Sequence, residues 1–597
     1  MQVPLFTNVA VFVDDAALAA EISSLFGREG YYLPVCDGPR MARPDNDNEV
    51  LRRLNFLAKL RPRRVLLANL ENTAAEKLEA GFWRADFCVR VNSRAEAAAA
   101  LSGYVTPPVE QLAWGSSNLG VGLLMARRSG LLLAVGDVPD TGEQTFVKGN
   151  SDIVIACERE NELAAVIASN LAFATGASFV VFRGASKTLR KGWLESLYSI
   201  GSADQTKAFE QLRDEVSTHV PDILKDGTFA EVLFVTEEFP WGIALPHVPT
   251  SHLYGYPDFG RSVVNGIWAT LNSDKSCRTA LLVQPGQVDG AEIDIMAAAL
   301  RKNGTLVRRL QDKYANVVRV DTAIQAMPFD FIGIATHAGE IKGKRLTYEF
   351  ADRRGNRRIL VVDEAVCIGH QPHNDLYHVT MFNGFRSIDG VPWSDEEGKD
   401  RIGAGDALHD FYAKPFDERR KLIAEETEIA RVYGAMALQM YDDNWLPMLQ
   451  GMPECGAAIV LNNACSSLHE MSKHFIFAGA RCYLGTLFPI SDSEAFAITK
   501  ELFGHTGQAI PRALWSAHRK VYDGQARRPY VVFGLPFCRI SPNHVDSVEY
   551  FLSELIGGME SYGEKRNHQN EGVRQGAARL VEFLRVEIDG IKEKYNR

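Results

Sequence analysis

Short apolar runs alternate with helical patterns along the first 225 or so residues. Six runs are typical of buried strands: VAVFV, VLLANL, FCVRV, LLLAV, DIVIAC and SFVVFRG. Helical segments lie between them, and one of these, AEAAAALSG, follows Ser93 with Glu96 placed as the partner of a capping box. Strands that alternate with helices predict an α/β layer built on a parallel sheet.

A charged helical segment at 204–227 ends at Gly227, which predicts a domain boundary there. A second α/β region follows, with apolar strands that alternate with helices. Faint similarity between 86–101 and 152–167 indicates a degenerate repeat in the first region. The predicted organisation is an N-terminal α/β regulatory or sensor domain at 1–227, a second α/β domain at 228–545 and a helical C-terminal cap at 546–597.

The second domain contains a long segment between two of its strands. His337 and Cys465 end these strands, and the 127 residues between them exceed what one crossover needs. We therefore predict an insertion at about 340–455. Within it, the pattern predicts a hairpin turning at 354–356, a polar loop-rich stretch at 363–416 and a long helix at about 418–440.

Composition and charge narrow the function classes. The 597 residues carry a formal net charge of −10, which disfavours general nucleic-acid binding. Nine scattered cysteines without a C-x-x-C pair are typical of a reducing cytoplasm. The N-terminus lacks the basic region of a signal peptide, and the uncharged stretch 164–182 is better interpreted as helix then strand than as a membrane span. We expect a cytoplasmic protein.

Two apolar runs end in reactive side chains. FDFIGIATH ends at His337, and AAIVLNNAC ends at Cys465 before a turn and a helix. If the two strands are neighbours, their carboxyl ends place a thiol and an imidazole at the same edge of the sheet. An imidazole and a helix N-terminus both favour the reactive thiolate. From these residues alone, a packed thiol and a nucleophile both remain open.

The ordered blocks FIGIATHAGE, IVLNNACSS and FIFAGARCYLGTLFPISDSEAF resemble the CHAT family of caspase-like cysteine peptidases (clan CD), which are related to separase. The resemblance covers roughly 229–540. It implies a caspase-like α/β sandwich, a mostly parallel sheet flanked by helices, with a Cys-His dyad and no cofactor. By position, Cys465 is the nucleophile and His337 the base. Backbone N–H groups of Cys465, Ala338 and Gly339 are the implied oxyanion hole.

Two departures from the family pattern concern the oxyanion hole and the substrate. Ala338 stands between His337 and Gly339, where the family has glycine directly after histidine. Separases carry an acid at the position of Phe496. Because that acid is absent here, the pattern does not support a basic P1 residue in the substrate, and a neutral or apolar P1 residue fits the pattern at least as well. Asp492, Phe496 and Asn463 are the candidate substrate-pocket residues. An S-x-x-E capping box at 491–494 explains Asp492 equally well.

Two histidine-rich segments are candidate metal sites. HEMSKH places its histidines five positions apart. At that spacing they do not lie on the same face of a helix, as a zinc-binding pair must. His370, His373 and His378 lie near Asp375 without a strong ligand spacing, and a polar loop is favoured. We predict no metal site.

The resemblance implies a regulated cysteine endopeptidase that cleaves a specific protein. Bacterial relatives act in antiviral defence or cell death, with substrates such as a co-encoded gasdermin. An activating partner or ligand is expected at the N-terminal domain. The alternative is a catalytically inactive caspase-like scaffold or sensor.

Overall fold

The computed structural model describes residues 3–40, 48–81, 87–136, 145–200, 205–271, 277–338, 341–393, 395–432, 437–453 and 457–595. The first part of the chain folds around a parallel sheet of four strands in the order β2-β1-β3-β4. Its elements are β1 (Val9–Val13), α1 (Ala16–Ser24), β2 (Val35–Asp37), α2 (Asn48–Leu60), β3 (Arg64–Ala68), α3 (Asn72–Ala80), β4 (Cys88–Val91) and α4 (Arg94–Ala100). A small parallel pair follows: β5 (Gln111–Trp114), α5 (Leu119–Ser129) and β6 (Leu132–Val135).

The next segment supplies most strands of a second, larger sheet. Its elements are β7 (Phe146–Val147), β8 (Ile153–Glu158), α6 (Glu162–Thr175), β9 (Ser178–Phe182), α7 (Lys187–Ser199), α8 (Gln205–Ser217), α9 (Asp222–Asp226), β10 (Glu231–Thr236), β11 (Thr250–Tyr254), α10 (Phe259–Leu271), β12 (Thr279–Gln284), α11 (Ala291–Lys302), β13 (Leu306–Gln311), α12 (Val317–Ala326) and β14 (Phe331–Ile334). The stretch 164–182 is helix followed by strand, as predicted.

The predicted insertion forms a sheet of its own. Its elements are β15 (Ile341–Ala351), β16 (Arg357–Gln371), β17 (Leu376–Ile388), β18 (Val391–Pro392), α13 (Glu396–Arg401), α14 (Ala404–Tyr412), α15 (Phe416–Arg420), β19 (Ile423–Val432), β20 (Leu438–Gln439) and β21 (Asn444–Trp445). β15 and β16 form the predicted hairpin. The prediction of a loop-rich stretch at 363–416 is wrong, because a second long hairpin joins β16 to β17. The long helix predicted at 418–440 is also wrong, because β19 pairs antiparallel with β15.

The chain then returns to the large sheet and ends in helices. The elements are β22 (Ile459–Asn462), α16 (His469–Ala478), β23 (Cys482–Thr486), α17 (Asp492–Gly504), α18 (Ile510–Val521), β24 (Tyr530–Gly534), α19 (Ser547–Glu564) and α20 (Glu571–Tyr595). The last two helices are the predicted helical tail. No helix in the ranges described above is both long and apolar enough to cross a membrane.

The large sheet has eleven strands in the order β13-β12-β14-β22-β23-β24-β11-β10-β8-β9-β7. Every neighbouring pair is parallel except β23 with β24 and β7 with β9. Alternate strand residues pack on opposite faces: Ile332 and Ile334 join one apolar cluster, and Phe331 joins another. The protein is therefore mixed α/β, with a large, mostly parallel sheet flanked by helices.

The large sheet joins strands from both sides of residue 227, where the sequence predicts a domain boundary. β8 precedes that position, β10 follows it, and the two strands pair in parallel over five residue pairs. Gly227 ends the short helix α9. Gly227, the helix-ending residue that predicts the boundary, therefore lies in a connection between two strands of one sheet.

The Gly120-Val121-Gly122 segment lies inside α5 and has a packing role. A Cβ at Gly120 would stand 2.6 Å from the carbonyl oxygen of Ala165 in α6, and one at Gly122 would meet the Trp114 ring at 2.6 Å. The two glycines therefore allow α5 to approach its neighbours closely.

Candidate active-site groove

The strands that end near His337 and Cys465 are neighbours. β14 and β22 pair in parallel, with Ile334 opposite Asn462. His337 and Cys465 each follow three residues after this last pair, so both stand beyond the same edge of the sheet. They line one groove of about 560 Å³. The predicted meeting of a thiol and an imidazole therefore has a topological basis.

Cys465 lies in a tight turn, four positions before α16 begins. Ser466, the next residue, has a left-handed backbone with a φ of 50°. Non-glycine residues rarely adopt this conformation, so neighbouring contacts must hold it. A strand-to-helix turn of this kind lifts the cysteine out of the packed layer, which explains why its side chain is only half-buried.

Hydrogen bonds from β23 hold this turn. The buried Thr486 hydroxyl donates to the Ala464 carbonyl at 2.8 Å and accepts from the Ser467 N–H at 3.4 Å. The Ser467 hydroxyl donates to the Asn462 carbonyl at 3.0 Å. Tyr483, also buried on β23, donates to the Ser467 carbonyl at 2.6 Å. The residues on both sides of Cys465 are thus fixed to a core strand.

The Cys465 thiol contacts the backbone of the loop after β23. Its Sγ lies 3.5 Å from both the N–H and the carbonyl oxygen of Ile490. The N–H suits a thiolate, and the carbonyl suits a protonated thiol. The loop can therefore accommodate both protonation states of the sulfur.

The His337 side chain is exposed, whereas its backbone is anchored. Its carbonyl oxygen accepts from the Gln439 N–H at 3.0 Å, and the Thr336 hydroxyl donates to the Gln439 carbonyl at 2.5 Å. Ala338 is buried and forms an antiparallel bridge with Leu438. Gly339, the other predicted oxyanion-hole residue near His337, lies outside the described residues. The imidazole is thus carried on a braced segment that leaves the ring free to meet a substrate.

The last hairpin of the insertion, β20 to β21, forms one wall of the groove. Residues 439–444 all line it, including Asp442 and Asp443. Asp442 accepts from the Val317 N–H at the start of α12, at 3.0 Å. Among the described residues, no lysine or arginine lines the groove, so this wall makes its charge negative. The sequence reasoning missed these two acids.

The predicted substrate-pocket residues do not line the groove in the described part of the chain. Asp492 is exposed and begins α17, where Ser491 and Glu494 form the predicted capping box. Phe496 is 39% exposed on the same helix. Their placement is that of an ordinary helix start.

Asn463 is buried and ties three elements together. Its amide nitrogen donates to the Thr499 hydroxyl of α17 at 3.0 Å, and its amide oxygen accepts from the Tyr530 hydroxyl of β24 at 3.1 Å. Its backbone N–H donates to the Ile334 carbonyl at 2.9 Å. These contacts give Asn463 a bracing role beneath the turn that carries Cys465.

Of the insertion histidines, His370 is buried, whereas His373 and His378 are half-buried. Nε2 of His370 lies 3.8 Å from Oδ1 of Asp375, and Asp375 also pairs with Arg579. The His373 ring packs 5.6 Å from the Tyr562 ring. No group of three or more His, Cys, Asp or Glu side chains within the described ranges could hold a metal ion.

Comparisons with known proteins add no family. No family model matches the chain, and no curated protein matches it. Among solved structures, Cwp6 from Clostridium difficile aligns with 12% identity over 58% of this chain, with a TM-score of 0.22. The chain spans 62% of the length of that protein. A likeness at this level carries no argument about fold or activity.

Proposed function

We propose that this protein is a cysteine endopeptidase of the caspase-like, CHAT-related type. The observation that carries the proposal is the parallel pairing of β14 with β22. It brings Cys465 and His337, at equivalent positions after the two strands, into one groove. A thiol and an imidazole in one accessible groove are the two groups that a cysteine peptidase requires.

In the proposed reaction His337 takes the proton of the Cys465 thiol, and the resulting thiolate attacks the carbonyl carbon of a peptide bond. The Ile490 N–H, 3.5 Å from Sγ, supports the thiolate. Backbone N–H groups of Cys465 and of the segment after His337 hold the oxyanion. The imidazolium then protonates the leaving amine, and a water activated by His337 hydrolyses the thioester.

The architecture is compatible with a caspase-like sandwich. Six consecutive strands of the eleven-stranded sheet, from β13 to β24, include five that run parallel and a sixth that is antiparallel to them, and helices pack on them. The strand order places the strand before His337 beside the strand before Cys465 without any residue from the N-terminal sheet. The four-stranded N-terminal sheet and its helices are then available for the regulatory or sensor role that we propose for them.

The groove favours an extended protein segment as substrate. Its wall of residues 439–444 is open to solvent at Tyr441, which is 54% exposed, and carries Asp442 and Asp443. We infer that a substrate side chain facing this wall is neutral or basic, because an acidic one would be repelled. By resemblance, the substrate is a specific cytoplasmic protein such as a co-encoded gasdermin, cleaved during antiviral defence or cell death.

The test is cleavage by matched cysteine variants. The wild-type protein, Cys465→Ala and Cys88→Ala are each incubated with proteins encoded beside it, a gasdermin included, and new N-termini are identified by mass spectrometry. We expect one specific cut that Cys465→Ala abolishes. Cys88 is a half-buried cysteine of β4, outside the groove, so its variant is expected to keep the cut. Identical termini with wild type and Cys465→Ala would instead favour the inactive scaffold.

A further inference from the structure

A second, larger cavity lies at the opposite edge of the sheet from the groove. It has a volume of about 1000 Å³, at the upper end of the ~300–1,000 Å³ range of ligand sites. Ala326 and Pro328 line it just before β14, and Met452 and Pro453 line it before β22. These positions precede the strands whose carboxyl ends carry His337 and Cys465. The cavity is therefore separate from the candidate active site.

Helices from three parts of the chain line this cavity, together with residues of the segments 325–328, 373–374 and 450–453. The end of α2 contributes Lys59 and then Arg61, and α10 contributes Trp268. The C-terminal helices contribute Tyr562, followed by Lys565. A ligand in the cavity would therefore contact a helix of the four-stranded sheet, a helix of the large sheet and the C-terminal helices together.

The charge of the lining favours an anion. Lys59, Arg61 and Lys565 line the cavity together with one acid, Glu554, among the described residues. Burial, followed by the nearby charge of Lys565, lowers the pKa of His373 in the lining to about 4. The field of Lys565 thus reaches a side chain of the opposite insertion loop. Cations on two walls of one solvent-open cavity are an arrangement that suits phosphate binding.

The lining also offers partners for a planar ring. The rings of Trp268 and Tyr562 lie on different walls. The His373 ring lies 5.6 Å from the Tyr562 ring, and the Lys565 ammonium lies 5.5 Å from the Tyr562 ring centroid. Asn55 and Asn374 add amide groups that can donate and accept. Aromatic faces with amides and cations suit a base and a phosphate group.

We propose that this cavity binds a nucleotide, with its phosphates held by Lys565, Arg61 and Lys59 and its base packed against the aromatic side chains. The ligand would bridge α2 and the C-terminal helices. It would also contact the segment 450–453, which is fixed by the Gln450 N–H to the Gln325 side chain at 3.1 Å and leads into β22. An effect of the bound nucleotide on the reactivity of Cys465 through this segment rests on the proposed function, whereas nucleotide binding to the cavity does not.

Isothermal titration of the full chain with ATP, GTP, CTP and UTP tests the proposal. We expect at least one of the four to bind, and Lys565→Glu and Arg61→Glu each to weaken that binding about tenfold or more, since each removes a charge-assisted contact. Lys592→Glu is the matched control, because Lys592 is exposed on α20 outside the cavity, and its variant is expected to bind as the wild type does.

Two outcomes would overturn the proposal, and a third would refute its assignment of the base. One is the absence of heat and of thermal stabilisation with all four nucleotides at millimolar concentration. The other is nucleotide binding that both charge reversals leave unchanged. Sodium tripolyphosphate and the matching nucleoside are the remaining probes, and each is expected to bind more weakly than the nucleotide. Tripolyphosphate that binds equally tightly would refute the role of the ring. None of these readings depends on peptidase activity.

Discussion

Thr486→Val is expected to loosen the turn that carries Cys465. Valine keeps the shape of threonine and removes the hydroxyl that serves the Ala464 carbonyl and the Ser467 N–H. Thr486 is fully buried, so both backbone groups lose their partner away from water. Each lost hydrogen bond costs about 1 kcal/mol, and a buried group left unsatisfied adds to it, for a total of about 2–4 kcal/mol. A nucleophile displaced by about 1 Å can lose ~100-fold in rate.

The assay combines guanidinium unfolding with the rate of Cys465 alkylation by iodoacetamide under native conditions. Thr305→Val is the matched control, because Thr305 is also buried and donates to the Cys277 carbonyl at 2.6 Å, at the opposite edge of the sheet. We expect both variants to lose stability and only Thr486→Val to change the alkylation rate. Equal stability losses with an unchanged Cys465 rate in both variants would refute the bracing role of Thr486.

Three further outcomes are expected. His337→Ala should reduce peptide cleavage about 10²–10⁴-fold, measured as kcat/KM, whereas the exposed His247→Ala should not; equal activities would exclude His337 as the base. Burial raises the pKa of Glu231 to about 8, so this group costs the wild type stability as the pH rises from about 4.5 to 8. In denaturant titrations, Glu231→Gln should therefore be more stable than the wild type at pH 8 by on the order of 2–4 kcal/mol. The difference in stability should vanish near pH 4. Arg53→Met should destabilise by about 3–5 kcal/mol, because the buried Asp37 loses its 3.0 Å ion pair and Asp258 loses one of its three arginine partners; a loss below about 1 kcal/mol in the same titration would contradict this.

The individual strands of the large sheet could be predicted, whereas their neighbours could not. FDFIGIATH and AAIVLNNAC are continuous apolar runs, and both contain the expected strands. Nothing local encodes that β14 pairs with β22, because that pairing joins residues far apart in the chain. The dyad hypothesis therefore depended on an adjacency that only the folded sheet provides.

The insertion shows where local propensity fails. IAEETEIARV contains several good helix formers, and its pattern predicts part of a long helix. In the structure it is β19, held by a ladder to β15 and by the Lys344–Glu426 ion pair at 2.5 Å. Tertiary hydrogen bonds outweigh a preference of a few tenths of a kcal/mol per residue.

The candidate site was predicted only in part for a related reason. Cys465 and His337 were found because they follow strands. Asp442 and Asp443 are missed because long-range contacts bring them to the groove, among them the bridge between Ala338 and Leu438 and the hydrogen bond from Gln439 to His337. The signal available in the sequence was the turn YDDNW, which resembles many surface turns.

The pH dependence of Cys465 alkylation tests the central claim most directly. Iodoacetamide modification of Cys465 is followed by mass spectrometry between pH 5 and 9, in the wild type, in His337→Ala and in a model thiol. If His337 favours the Cys465 thiolate, Cys465 is expected to be alkylated faster than the model thiol below pH 7. This difference in rate is expected to disappear in His337→Ala. Alkylation no faster than the model thiol, with His337→Ala unchanged, would contradict the account.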